Sequence, residues 1–143
     1  MCNDQSIMKT VKTLLAFLIA LFFAVASHEA KAQSTPDEAF GKIAAAIQAG
    51  NADALSAFLN SPVEVTLPGA DQSYSSQQAT FVLKDFFSKN AAKSFSVIHK
   101  GNSGATNYAT GTYVSASGTY DTNIFLKNVA GVYKVVTLRF EAE

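Results

Sequence analysis

The side chains that could do chemistry in this chain are few: His99, Tyr108, Tyr113, the adjacent Tyr120 and Asp121, and Arg139, with Glu64 further upstream. A carboxylate base beside a phenol is the pairing that removes a proton next to a carbonyl and steadies the oxyanion that forms. Asp121 would be the base and a tyrosine the donor. Tyr120 and Asp121, however, are neighbours in an alternating stretch, so they point to opposite faces of a strand and cannot enter one cavity. His99 follows Phe95 and Val97 at strand parity, which places it on their apolar side as a general base or proton-sensitive group. Arg139 shares parity with Thr137 and Val135, where a guanidinium reaching a wet cavity would hold an acidic ligand. Each residue also has a plainer role. The acids read as solvated strand residues and the tyrosines as core or interface packing. His99 reads as a partly exposed strand end, and Arg139 as a surface cation with its stem over Tyr133. The plainer roles are the expectation. No residue is assigned to catalysis, and His99, Tyr113, Asp121 and Arg139 remain as candidate cavity or ligand contacts.

Whole classes of chemistry lack their residues. Structural or catalytic zinc needs clustered cysteine and histidine, and the chain has one Cys and two His. No GxGxxG or Walker loop occurs to cradle a nucleotide, and no G-x-S-x-G elbow to present a serine nucleophile. The sequence therefore predicts no metal and no cofactor.

The N-terminus predicts export. Lys9 and Lys12 precede an uncharged apolar block, Leu14 to Ala26, and Ala30 and Ala32 then give an A-x-A cleavage pattern. That block is too short for a membrane span, since about 20 Å of helix falls short of the roughly 30 Å hydrocarbon layer. Residues 1–32 thus read as a signal peptide cut after Ala32, with Met8 the more typical start and no stable anchor after processing. Cys2 precedes the apolar block and is not placed as a lipoprotein cysteine. Removing residues 1–32 from the 143 leaves 111, one small domain in the periplasm or outside the cell. Lys9, Lys12, Lys31, Asp4 and Glu29 leave with the leader, so 11 basic and 11 acidic residues become eight and nine, a net charge of −1. No basic patch stands out for nucleic acid.

The mature chain opens with Thr35, Pro36 and Glu38, a capping box with proline at the first helical position. Phe40, Ile43, Ala44 and Ile47 then mark one buried helical stripe that stops at Gly50. Asn51 caps a second, shorter helix with Leu55, Phe58 and Leu59 inward. VEVTL, from Val63 to Leu67, alternates like a strand, and Pro68–Gly69 breaks it. ADQSYSS reads as a polar loop. Ser75 and Gln78 cap a third helix that runs to about Lys89 and buries Ala79, Val82, Leu83, Phe86 and Phe87. Four strands follow from Lys93, joined by GNSG, SG and NVAG turns, with Gly111 marking a bend. The predicted order is α-α-β-α-β-β-β-β: an α+β fold with three helices on one face of a strongly curved antiparallel sheet. The last strand is apolar at both parities, as a central strand would be, covered by helices on one side and by a partner subunit on the other.

This order resembles the nuclear transport factor 2-like superfamily, and within it a family of small secreted bacterial proteins of unassigned function. The stretches that carry the likeness are FGKIAAAIQAGNADALSAFL, SPVEVTL, the helix ending VLKDFF and the terminal GVYKVVTLRF. The resemblance implies a cone, a bent sheet wrapped around the long helix with a cavity at its open end and a sheet face often used for dimers. Some members of the superfamily are ketosteroid isomerases or related cyclases, but none of the residues above matches their motifs. The leading expectation is an exported, non-enzymatic domain that binds a small apolar or amphipathic ligand, or a protein partner, in that cavity. The alternatives are an isomerase-like or hydrolase-like enzyme using His99 or Asp121, and a homodimeric assembly module. A cavity filled by Phe and Leu side chains would remove both the ligand and the enzyme readings.

Overall fold

The computed structural model describes residues 34–143; the signal peptide expected over residues 1–32 and its expected cleavage point lie outside the described residues. Helix α1 spans Pro36–Gln48 and is started by the capping box: the Glu38 amide donates to Thr35 Oγ1 at 3.2 Å, and the Thr35 amide to the Glu38 carboxylate at 3.1 Å. Its buried side chains are Ala39, Phe40, Ile43, Ala46 and Ile47. Gly50 turns the chain with φ +63°, a conformation that costs other residues strain. Asn51 caps the short helix α2, Ala52–Ser56. This helix is shorter than expected, because Leu59 already belongs to strand β1, Leu59–Leu67, and the Phe58 carbonyl accepts the Val135 amide at 2.7 Å.

Strand β2, Ala70–Tyr74, occupies the stretch expected to be a loop. It forms a tight hairpin with β1 through Pro68–Gly69, with Leu67 opposite Ala70. Its middle residues, Asp71, Gln72 and Ser73, are all exposed, so it lacks the apolar alternation by which strands are recognised. Helix α3, Ser76–Lys89, has the expected Ser75/Gln78 capping box and buries Ala79, Leu83, Phe86 and Phe87. Strands β3 (Ala92–Ser103), β4 (Thr106–Ser115), β5 (Gly118–Val129) and β6 (Val132–Ala142) form the antiparallel meander.

The fold is α+β, with one six-stranded sheet in the order β2-β1-β6-β5-β4-β3. It is not wholly antiparallel, since β1 runs parallel to β6. The chain segments between these two strands allow that pairing, which short hairpins alone would forbid. Strand β6 lies inside the sheet, as its two-sided apolarity predicts. The core lies between one sheet face and the helices, where α1 meets β3 and β4, and α3 meets β1 and β2.

Bulges at Lys93, Ile98 and Val136 reset the alternation. Val135 is therefore buried together with Leu138 and Phe140, although strict parity would have set it on the opposite side.

Candidate functional site

Between α3 and the sheet the interior is packed with rings. Phe86 lies 4.9 Å from Phe140, 5.4 Å from Tyr120 and 5.9 Å from Tyr113, centroid to centroid, and Phe87 sits 6.1 Å from Tyr113. These rings form one contiguous aromatic cluster within the core.

At one end of the cluster three hydroxyls from the meander converge on Asn90, the residue that ends α3. The Tyr113 hydroxyl donates to the Asn90 backbone carbonyl. Tyr120 donates to Asn90 Oδ1 at 2.9 Å, and Ser117, in the β4–β5 turn, donates to the same oxygen. The Asn90 amide group donates in turn to the Phe86 carbonyl at 3.0 Å. One helix end is thereby tied to β4, to β5 and to their turn. Burial, and secondarily the neighbouring Tyr120, push the Tyr113 phenol up to about 12, so it stays a neutral donor at physiological pH.

Beside this junction a groove of about 300 Å³ opens between the Pro68–Gly69 turn and the last turns of α3. Leu67, Val82 and Phe86 give it apolar surface; Asn90 and Tyr120 give it polar groups. The Asp85–Lys89 ion pair, at 2.8 Å, stands at its rim.

The four sequence candidates do not meet there. Tyr113 is buried in the ring cluster. Asp121, His99 and Arg139 are exposed on the opposite face of the sheet. The parity argument holds for Tyr120 and Asp121, the first buried and the second exposed. For His99 it fails at the Ile98 bulge: Val97 pairs with Gly111 on the core side, but His99 pairs with Thr110 on the outer side. Lys100 takes the inward parity instead and reaches α1, with its ammonium 3.2 Å from the Asp37 carboxylate and 5.9 Å from the centre of the Phe40 ring.

On the outer face His99, Thr110, Asn123 and Arg139 form one cross-strand row, with Arg139 next to Thr66 of β1. His99 stacks near Tyr108 at 5.8 Å, and Tyr108 near Phe125 at 6.3 Å. Tyr108 lies over Gly101, where an added Cβ would fall 2.5 Å from the phenol oxygen. Glu64 accepts from Thr137 at 3.2 Å on this same face.

Sequence reasoning missed Asn90 and Ser117. The only signal either offered was an asparagine at the end of a helical pattern, which reads as a cap. No group of three or more metal-ligating side chains occurs among the described residues, and no helix there is long and apolar enough to cross a membrane.

The fold is similar to that of solved nuclear transport factor 2-like proteins. A solved NTF2-like protein of unknown function from Cytophaga hutchinsonii superposes with a TM-score of 0.58 at 14% identity, covering 79% of this chain and 94% of that one. The particular family is set by sequence: the model of the domain of unknown function DUF4783 matches residues 40–141, and the chain belongs to that family. A family member from Bacteroides ovatus is 26% identical with a TM-score of 0.70, covering 78% of this chain and 97% of its own. Another, from Bacteroides uniformis, is 22% identical with a TM-score of 0.70, covering 77% and 98%. No curated protein matches the chain.

Proposed function

We propose that this is an exported, non-enzymatic domain that holds a small amphipathic ligand at the mouth of a strongly curved, cone-like sheet. The ligand seat is the groove between the Pro68–Gly69 turn and the end of α3. The observation that carries this reading is that apolar surface from Leu67, Val82 and Phe86 meets the polar pair Asn90 and Tyr120 in one concave place, the usual composition of a ligand site. Bulges in β3 and β6 support the curvature, since each bends its strand. Binding is favoured over proton transfer because the nearest acid, Asp85, is held by Lys89, while Asp121 and His99 lie across the sheet from both buried tyrosines. The charge order of the leader and its A-x-A pattern support export.

Native mass spectrometry of protein taken from its own cell envelope tests both parts. The expected spectrum shows a chain starting at Gln33 with a small adduct, and the adduct disappears in a Val82→Trp variant that fills the groove. An adduct that survives Val82→Trp rejects the seat. A chain retaining Leu14 to Ala26 rejects export.

A second reading, homodimerisation through the outer face, is favoured by its charge pattern. Asp121 faces Glu141 across β5 and β6, and six residues along the same ladder Lys127 faces Lys134. Acid stands at one end and base at the other, with Phe125 between them.

A further inference from the structure

We infer that the ligand's head is an uncharged group offering a hydrogen-bond donor and an acceptor side by side, an amide or an alcohol on a short apolar chain, and not a carboxylate. This rests on the groove being the ligand seat.

The argument is an inventory of hydrogen-bonding capacity left unused. Asn90 Oδ1 accepts from both Tyr120 and Ser117, which occupies both of its lone pairs. One amide hydrogen of Asn90 goes to the Phe86 carbonyl at 3.0 Å, leaving one N–H. The Tyr120 hydrogen is spent on Asn90 at 2.9 Å, leaving its oxygen as an acceptor. The end of the groove therefore presents one free donor and one free acceptor on two side chains already bonded to each other. It presents no net charge, because Lys89 is neutralised by Asp85 at 2.8 Å. A carboxylate would satisfy the Asn90 N–H but has no hydrogen for Tyr120, and it would approach the Asp85 carboxylate. An ammonium has no acceptor for the Asn90 N–H. An amide or alcohol satisfies both groups, and a polar group left unpaired on desolvation costs about 1–3 kcal/mol. The remaining contacts, Leu67, Val82 and Phe86, take the chain, and about 300 Å³ restricts it to a short one.

The test is an NMR titration of the purified protein with hexanamide, hexan-1-ol and hexanoate, following backbone amides of Leu67, Val82 and Asn90. Hexanamide and hexanol should shift these resonances, with hexanoate roughly tenfold weaker. Tyr120→Phe, which removes the phenol acceptor and leaves only the Asn90 Oδ1 lone pair it frees, should weaken hexanamide relative to hexanoate. Asn90→Ala, which removes the free donor and releases the Tyr120 hydrogen for a carboxylate, should abolish the preference and serves if Tyr120→Phe loses the native spectrum. Hexanoate binding as tightly as hexanamide, or a preference unchanged in these variants, overturns the head-group inference while the groove stands. Probes that leave Leu67 and Val82 unshifted, or bind equally to Val82→Trp, overturn the groove itself and the inference with it.

Discussion

Asn90 does more than end a helix: it is where α3, β4, β5 and the turn between those strands are joined, through an exposed serine hydroxyl and two buried phenols that need an acceptor. The most buried of the three donors is Tyr113, whose phenol is raised to about 12 by desolvation and by Tyr120. An ordinary tyrosine ionises near pH 10. Between pH 10 and 12 the unfolded chain therefore releases this proton while the folded chain keeps it, so the folded state binds more protons and stability falls as pH rises. The contribution is complete below about pH 10 and is lost through about pH 12. Tyr113→Phe should remove that slope and, by orphaning the Asn90 carbonyl, lower stability at neutral pH by about 1–2 kcal/mol. Urea unfolding from pH 8 to 12 measures both effects. A wild-type slope retained in the variant would assign the alkaline loss to other groups.

At the scale of elements, the sequence made some features plain and concealed others for a definable reason. Capping boxes are local, requiring only Thr35 with Glu38 or Ser75 with Gln78, so both helix starts could be read directly. The meander was equally plain, because Gly and Asn punctuate alternating runs. Strand β2 was hidden because its polar exterior gives no alternation, and the parallel β1–β6 pairing because it joins segments distant in sequence. The site suffered from bulges. One extra residue at Ile98 moves His99 outward and Lys100 inward, and no composition rule marks its position. Gly111 is its partial trace, lying opposite Val97, where the bulge begins, with the Ser96 carbonyl 2.5 Å from where a Cβ would stand and the Phe95 ring at 3.2 Å. Backbone cannot yield as a flexible side chain does. Gly111→Ala should therefore cost about 1–3 kcal/mol, as overpacking does. Chemical denaturation checks it, and a loss below 0.5 kcal/mol, the scatter of ordinary surface changes, would show that the bulge can relax.

At the scale of the whole molecule, the outer face raises the question of a second copy. Two like-charged pairs sit directly opposed on β5 and β6, an arrangement that disfavours the isolated sheet because such neighbours repel. Their separation of six residues spans about 20 Å of strand. A two-fold axis lying between two stacked sheets and running across the strands, level with Ile124, would set the Asp121–Glu141 end of one copy over the Lys127–Lys134 end of the other. Strand direction reverses about that axis, so acid meets base twice, and the Tyr108–Phe125 strip lies near the centre, where aromatic anchors contribute most. An axis along the strands would set acid over acid, so only the first arrangement is compatible with the charges. The dimer proposed on this basis should weaken with added salt. Charge reversal supplies the sharper test. Asp121→Lys with Glu141→Lys should leave a monomer by sedimentation, and adding Lys127→Glu with Lys134→Glu should restore the dimer, because the polarity is inverted but still complementary. If the fourfold variant remains monomeric while the wild type dimerises, the contact lies on another surface; a wild type monomeric at high micromolar concentration removes the dimer altogether.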